Sequence, residues 1–365
     1  MAHDPVNVLV TAIGGGGHGE QILKALKMVA NGRYRLFGAD MNPQCSQFDL
    51  VEQGMTLPSA RDPAFVEAVL AVCARFDIRA VFHGCEPELL AYSRARDTFA
   101  ERGILLPINR AETIELCMDK TRSSEFLKSV GFTPPRFVLA ESVAEAAQLD
   151  RFPLVVKPHI GSGGSKDCFV VQDKRELEAI VTFLGASPDN RVMVQEYVGT
   201  PEEEYTVGVL YDLDGAYINS IAIRRELKSA LNLRISTPNR TGRPELGTRL
   251  VVSSGISMGE VCRPPEILET CEKIAQALDV RGAINIQGRM TAEGFKVFEI
   301  NPRFSGTTSI RAMMGYNEPD ALLRRHILGE AITPRFDYET GYVLRALQEY
   351  RPKPNLAPSW TELAG

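Results

Sequence analysis

The stretch INIQGRMTAEGFKVFEINPRFSG, Ile284 to Gly306, gathers Gln287, Glu299, Asn301 and Arg303 into one short span. Ala292-Glu293-Gly294 suits a three-residue hairpin loop with glycine in the left-handed final position. Pairing Thr291 with Phe295 then sets Gln287 opposite Glu299 and Asn285 opposite Asn301, all on one sheet face, while Phe298 and Ile300 point to the core. Three oxygen donors converging on one spot suit a hard cation such as Mg²⁺ beside phosphates. The guanidinium of Arg303 follows at once, placed to clamp a transferring phosphoryl group. The plainer alternative is the solvated side of an antiparallel hairpin, but a Glu, an Asn and an Arg within five positions make a dense cluster.

Two further stretches carry groups suited to a nucleotide. In FPLVVKPHIGSGGSKDCFVV, Phe152 to Val171, Lys157 ends an apolar run. Gly161, Ser162, Gly163, Gly164 and Ser165 follow as a glycine-rich flap whose amides can meet phosphate oxygens. The stretch lacks the G-K-[ST] ending of a P-loop and no helix follows, so a solvated lysine beside an ordinary turn fits equally well. In VMVQEYVGTPEEEYTVGVL, Val192 to Leu210, two strands flank a break at Gly199 to Pro201. The backbone of Glu196 to Val198 is placed to read an adenine and Glu204 to accept ribose hydroxyls, with an acidic solvated turn as the alternative.

The elements that must position these groups follow from periodicity. Val6–Thr11, Tyr34–Ala39 and Ala80–His83 read as strands, and Gly19–Val29 and Pro63–Phe76 as helices, which predicts a parallel doubly wound sheet. A helix over Glu112–Val130 closes this unit. Strand and helix pairs from Arg136 to about Tyr197 suit a small lid. Mostly strands follow to about Gly329, with a helix near Pro265–Leu278, and a proline-rich extension ends the chain. The expected units are 1–115, 116–198, 199–330 and 331–365.

In the first crossover, Gly14, Gly16 and Gly19 satisfy G-x-G-x-x-G after a strand, with Asp40 closing the next strand. That context fits a dinucleotide. It also fits a tight turn with no ligand, and nothing downstream supplies a hydride-transfer site.

Composition bounds the partners. Over 365 residues the formal net charge is −5, which gives no general attraction to nucleic acid or an anionic membrane. Seven scattered cysteines, none in a C-x-x-C pair, argue against structural zinc and for a reducing compartment. No basic-then-apolar leader and no span-length apolar run is evident, so a cytoplasmic protein is expected.

Taken in order, the pieces resemble the ATP-grasp superfamily, in particular its carbamoyl phosphate synthase-like branch. The most specific stretches are FEINPRFSG, VVKPHIGSGGSKD and MDKTRSSEFLKSVGFTPP, Met118 to Pro135. The resemblance implies an α/β and α+β architecture: a doubly wound pre-grasp domain, then a two-part ATP-grasp fold. It implies that Lys120 and Lys157 contact ATP phosphates under the Gly161–Ser165 loop, and that Glu196, Tyr197 and Val198 read adenine with Glu204 at the ribose. It further implies that Gln287, Glu299 and Asn301 hold one or two Mg²⁺ ions (or Mn²⁺), and that Arg303 steadies the reacting phosphate. Many members carry Glu where this chain has Gln287, and an amide is the weaker ligand.

On that basis the expected activity is a ligase. A small-molecule carboxylate becomes an acyl phosphate and an amine or other nucleophile displaces phosphate. A homodimer is implied at family level. The alternatives are an enzyme that phosphorylates carbamate or bicarbonate, and an NAD(P)-binding oxidoreductase using Gly14–Gly19. The acceptor side is expected at the edge of the first domain, with His18, Glu86 and Glu88 as candidates. A basic stretch, Arg224, Arg225, Lys228, Arg234, Arg240, Arg243 and Arg249, offers charge to an acidic substrate or else a solvated loop.

Overall fold

The computed structural model describes residues 4–29, 32–161, 165–351 and 357–364. The chain begins with β1 (Val6–Val10), α1 (His18–Lys27), β2 (Tyr34–Asp40), β3 (Gln53–Thr56), α2 (Phe65–Arg75), β4 (Ala80–Phe82), α3 (Glu86–Arg94) and α4 (Arg96–Glu101). The four strands form a parallel sheet in the order β3-β2-β1-β4. Alternation along β1 assigns its two faces: Val8 and Val10 pack with Ile22 and Leu23 of α1, and Leu9 packs with Val69 and Val72 of α2. The expected doubly wound sheet is present. The short strand β3 and the helices α3 and α4 carried no clear periodic signal.

The single helix expected over Glu112–Val130 is two helices, α5 (Ala111–Met118) and α6 (Lys120–Ser129). Asp119 takes an extended conformation, and its carboxylate accepts from the amides of Thr121 and Arg122. This N-cap restarts the helix, so Lys120 stands in its first turn instead of mid-helix.

A four-stranded antiparallel sheet follows, β5 (Phe137–Ala140), β6 (Leu154–Pro158), β7 (Phe169–Val171) and β8 (Val192–Glu196), ordered β5-β8-β6-β7, with α7 (Val143–Ala146) and α8 (Lys174–Phe183) alongside. It has its own small core, including Val156, Leu177, Val181 and Val194. The rest of the chain builds a larger antiparallel sheet from β9 (Glu204–Tyr211) and β10 (Tyr217–Arg225), with β11 (Leu233–Pro238) and β12 (Arg249–Ser253) as a separate pair. Then come β13 (Gly259–Cys262), α9 (Pro265–Ala277), β14 (Ala283–Thr291), β15 (Gly294–Asn301), α10 (Thr308–Met313), α11 (Glu318–His326), β16 (Gly341–Val343) and α12 (Trp360–Ala364). The large sheet runs β15-β14-β9-β10-β13-β16.

Two features tie the first sheet to this body. One core holds Val8, Ile22 and Leu26 together with Ile221, Ile223, Leu322 and Leu323. The C-terminal stretch, expected as a simple extension, adds β16 to the large sheet and returns Trp360 and Leu363 to the α2 side of the first sheet. Among the described residues no helix is long and apolar enough to cross a membrane.

Beneath the sheet face that carries the candidate ligands lies a fully buried ion pair, Arg311–Glu318 at 2.9 Å. Arg311 also donates to Asn285 Oδ1 (2.7 Å), which accepts in turn from Thr206 Oγ1 (2.8 Å). Gly208 makes room for it, since a Cβ there would lie 2.2 Å from the guanidinium. Arg311→Leu leaves Glu318 as an uncompensated buried charge, and unfolding in denaturant is expected to show a loss of about 3–5 kcal/mol.

Candidate active site

The hairpin of β14 and β15 turns more tightly than its composition suggested. Thr291 pairs with Gly294, so the loop is the two residues Ala292 and Glu293. That pairing alone would place Gln287 opposite Phe298. A β-bulge between Gln287 and Gly288 absorbs one extra residue on β15 and restores the pairs Gln287↔Glu299 and Asn285↔Asn301. The extra residue is Phe298. It does not enter the core as expected; it borders a cavity together with Gln287 and Glu299, while Ile300 does pack inside.

That first cavity, of about 670 Å³, lies between the small sheet and the body. Lys157, at the end of β6, donates to Gln195 Oε1 on β8 (2.8 Å) and to the carbonyl of Phe298 (3.2 Å). The bulge thus offers Lys157 a backbone acceptor. Burial lowers the Lys157 pKa, Glu299 opposes that shift, and the charge of Lys120 adds to it. Lys120 donates from Nζ to the carbonyl of Gly161, at the root of the glycine-rich flap. Gly161 and Ser165 both have positive φ, 71° and 59°, so the described ends of the flap turn sharply. Ser162, Gly163 and Gly164 lie outside the described residues. Cys168, which sequence reasoning did not single out, borders the same cavity, and burial pushes its thiol up to about 11.

Glu196, Tyr197 and Val198 line this cavity where the small sheet meets the body. The Tyr197 hydroxyl accepts from the amide of Val251 (2.9 Å), and the Arg289 guanidinium stacks 4.5 Å from its ring. Glu204 borders the cavity but is no solvated turn residue. It is 1 % exposed, and its carboxylate accepts from Arg289 Nε and Nη2 (3.0 and 2.8 Å) and from Arg225 Nη1 (2.9 Å). Burial raises the Glu204 pKa, yet the two arginines outweigh it and hold the carboxyl below the usual range. Arg289 was missed in the sequence, although its place two residues after Gln287 on one strand marks it for the same face.

A second cavity, of about 1210 Å³, adjoins the first. Its walls are the Gly15–His18 loop, Gly84–Pro87, Ser254–Ser257 and Ser305–Thr307, and its floor carries Asn285, Asn301 and Arg303. Gln287, Glu299 and Ser165 border both cavities. Arg303 donates from Nη2 to Glu86 Oε1 (2.9 Å) and to Asn301 Oδ1 (3.0 Å). The carboxyl of Glu86, raised by burial, is brought net below its ordinary value by Arg303 and Lys120. Glu88 lies deeper, accepting from Thr11 Oγ1 (2.7 Å) and the Gly84 amide (2.8 Å), and burial pushes it up to about 7.

The glycine loop is closed by the protein's own carboxylates. Asp40 accepts from the Gly14 amide (2.8 Å) and Glu20 from the Gly16 amide (3.0 Å), so the donors a pyrophosphate would use meet fixed negative charge. Gly19 is a packing requirement, since a Cβ there would lie 2.4 Å from the Ala12 carbonyl. Nor does the basic stretch face the second cavity. Arg224 pairs with Glu260, Arg225 with Glu204, Lys228 with Glu226, Arg240 with Glu176 and Arg243 with Glu245. Arg249 donates to Ser236, and Arg234 stands exposed on β11.

The chain is similar to several known proteins. Residues 248–349 match the family described as ATP-grasp in the biosynthetic pathway with Ter operon, and residues 9–107 match the PylC-like N-terminal domain. The carbamoyl phosphate synthase large chain of Thermotoga maritima is 27 % identical over 229 residues, 58 % of this chain and 19 % of that protein. That of Thermotoga petrophila is 26 % identical over the same shares. The chain thus spans about a fifth of the length of these curated relatives. Among solved structures, N5-carboxyaminoimidazole synthetase from Staphylococcus aureus complexed with ADP superposes with a TM-score of 0.63 at 15 % identity, covering 91 % of this chain and 80 % of that one. L-amino acid ligase from Bacillus licheniformis gives 0.61 at 18 %, covering 91 % and 78 %. Biotin carboxylase from Campylobacter jejuni, in its β-γ-ATP complex, gives 0.60 at 17 %, covering 88 % and 70 %.

Two buried imidazoles stand at the second cavity, His18 in its wall and His83 behind it. His18 and His83 meet edge to face at 5.1 Å, and burial lowers both, His83 to about 3. Each is neutral in the folded chain and takes up a proton more readily when unfolded, so stability is lost as pH falls below the ordinary 6.5. Between pH 7.5 and 5.5 each histidine is expected to remove about 1.4 kcal/mol of unfolding free energy, a loss offset by Glu88, whose carboxyl at about 7 takes up its proton in the folded chain. His83→Leu should remove one such share.

Proposed function

We propose that this chain, which carries an ATP-grasp domain behind a PylC-like N-terminal domain, is an ATP-dependent ligase that activates a small-molecule carboxylate for attack by an amine or other nucleophile. One observation carries the reading: two cavities, one flanked by lysines and a hinge, the other by small polar residues, share Gln287 and Glu299. A phosphoryl group moving between occupants of the two would pass these side chains.

In this reading Glu196 to Val198 contact the adenine, and Glu204 holds Arg225 and Arg289 at the ribose end. Lys120, Lys157 and the Gly161–Ser165 flap, including Ser162, Gly163 and Gly164, meet the phosphates. One carboxylate and two amide oxygens, from Glu299, Gln287 and Asn301, are a hard-oxygen donor set that fits Mg²⁺. When bound, the ion neutralises phosphate oxygens. Glu299 is the only charged member of the set, so a single tightly held ion is favoured, with Mn²⁺ able to replace it.

The substrate carboxylate lies in the second cavity beside Arg303. One of its oxygens attacks the γ-phosphorus, the bond to the β-γ bridging oxygen breaks, and ADP leaves. Arg303 and the two lysines hold the charge that gathers as an anion meets a polyanion. The nucleophile then attacks the acyl carbon, expelling inorganic phosphate and losing a proton. Because phosphate carries the activation, the protein needs no nucleophile of its own. The domain limits 1–115, 116–198, 199–330 and 331–365 fit this division of labour, and a homodimeric cytoplasmic enzyme is the form we expect.

An ADP-release screen of carboxylic acids crossed with amines, with mass detection of products, tests the reading. An amide-forming pair is expected. A product that is only phosphorylated carbamate or bicarbonate would replace the ligase, and NADH binding with no response to Mg-ATP would end it. With a responsive pair in hand, Glu299→Ala and Arg303→Ala are each expected to lower kcat by about 10²-fold or more. Tm should stay near the wild-type value for Glu299→Ala, whereas Arg303→Ala, which isolates the half-buried Glu86, should also lower it. Lys157→Ala is expected to weaken calorimetric ATP binding by about tenfold or more.

A further inference from the structure

The second cavity is walled by segments far apart in the chain, and one side chain joins three of them from behind. Arg345 lies two residues beyond β16. Its Nε donates to the carbonyl of Ser257 (2.8 Å), its Nη1 to Gln21 Oε1 on α1 (2.8 Å), and its Nη2 to the carbonyl of Gly306 and to Ser309 Oγ (3.3 Å). Gln21 Oε1 also accepts from Ser309 Oγ (2.6 Å), which closes the network. Gln21 follows the glycine loop, Ser257 ends one wall, and Gly306 stands in another. The walls are also set tightly: a Cβ on Gly306 would lie 2.8 Å from the carbonyl of Gly255.

We propose that Arg345 is a positioning residue of the carboxylate site: the C-terminal strand carries it under the second cavity, where its planar fork fixes three walls at once. Its chemistry suits the task. A guanidinium presents donors in a fixed plane, and here they go to two backbone carbonyls, an amide and a hydroxyl. An ammonium is a compact charge on a flexible stem and does not reproduce that plane. Arg345 does not border the first cavity, so its influence falls on the acceptor side and not on the nucleotide. The C-terminal stretch thereby becomes part of the working site. The claim about the carboxylate rests on the ligase reading above, whereas the claim that Arg345 orders the three walls does not.

Arg345→Lys and Arg345→Gln are compared with the wild-type chain in three measurements. The first is steady-state kinetics with the carboxylate that the ADP-release screen identifies. The second is calorimetric Mg-ADP affinity, and the third is backbone deuterium exchange without ligand. The carboxylate KM is expected to rise about tenfold, with kcat and Mg-ADP affinity within about twofold of wild type. Exchange is expected to quicken at 254–257 and 305–309 and to stay unchanged along β14 and β15. Unaltered exchange at both loops would overturn the proposal, as would Mg-ADP affinity falling in step with the carboxylate KM. Should the Arg345 variants fail to fold, Gln21→Leu, which removes the acceptor shared by Arg345 and Ser309, is expected to give the same split, and wild-type behaviour there would overturn it. If no carboxylate stimulates ADP release in the wild-type chain, the ligase reading falls and the exchange measurement alone decides whether Arg345 holds the walls.

Discussion

The pairing of Gln287 with Glu299 across β14 and β15 is the constraint on which the candidate site depends. Strand side chains alternate with a period of two, so a slip of one residue sends a ligand to the opposite face. The two-residue turn at Ala292-Glu293 produces such a slip, and the bulge at Phe298 cancels it. The cancellation has consequences for the first cavity as well. The bulged Phe298 lines that cavity and offers its carbonyl to Lys157, so one backbone irregularity serves the Gln287–Glu299 register, the cavity wall and the seat of Lys157.

Charge in this chain is compensated locally and at depth. Glu204 lies between Arg225 and Arg289, Glu318 meets Arg311, and Arg303 leans on Glu86 and Asn301. Such pairs do little for net stability against an apolar alternative, but removal of one partner leaves a costly isolated charge. They therefore hold orientation. Arg289 lies over Tyr197 because Glu204 anchors its guanidinium, and that orientation shapes the hinge end of the first cavity.

The glycine loop acquires its meaning from packing. Its helix start could receive an anion, yet Asp40 and Glu20 accept from the Gly14 and Gly16 amides. The loop walls the second cavity, and the core shared by α1, α11 and the large sheet holds that wall against the face that carries Gln287, Glu299 and Asn301. A first domain free to hinge would leave this cavity without a defined shape.

Much of this was legible in the residues themselves. Period-two and helical patterns indicated the parallel sheet, the strand and helix pairs of the small sheet and the strand-rich remainder, because burial of an apolar face leaves its mark in sequence. The density of Glu299, Asn301 and Arg303, and the glycines after Lys157, marked a candidate site, and Lys157, Glu299, Asn301 and Arg303 border the two adjoining cavities. The tertiary structure alone decided which of two equal options each segment took. Local composition did not separate a three-residue loop from a two-residue loop with a compensating bulge, nor one helix from two divided at Asp119. The basic stretch from Arg224 to Arg249 read equally as charge for a substrate or as a solvated loop, and only the fold brought the distant acids Glu204, Glu176 and Glu260 into contact with it. Arg345 carried no signal at all, because its role arises from Gln21, Ser257, Gly306 and Ser309, which only the folded chain brings to one guanidinium.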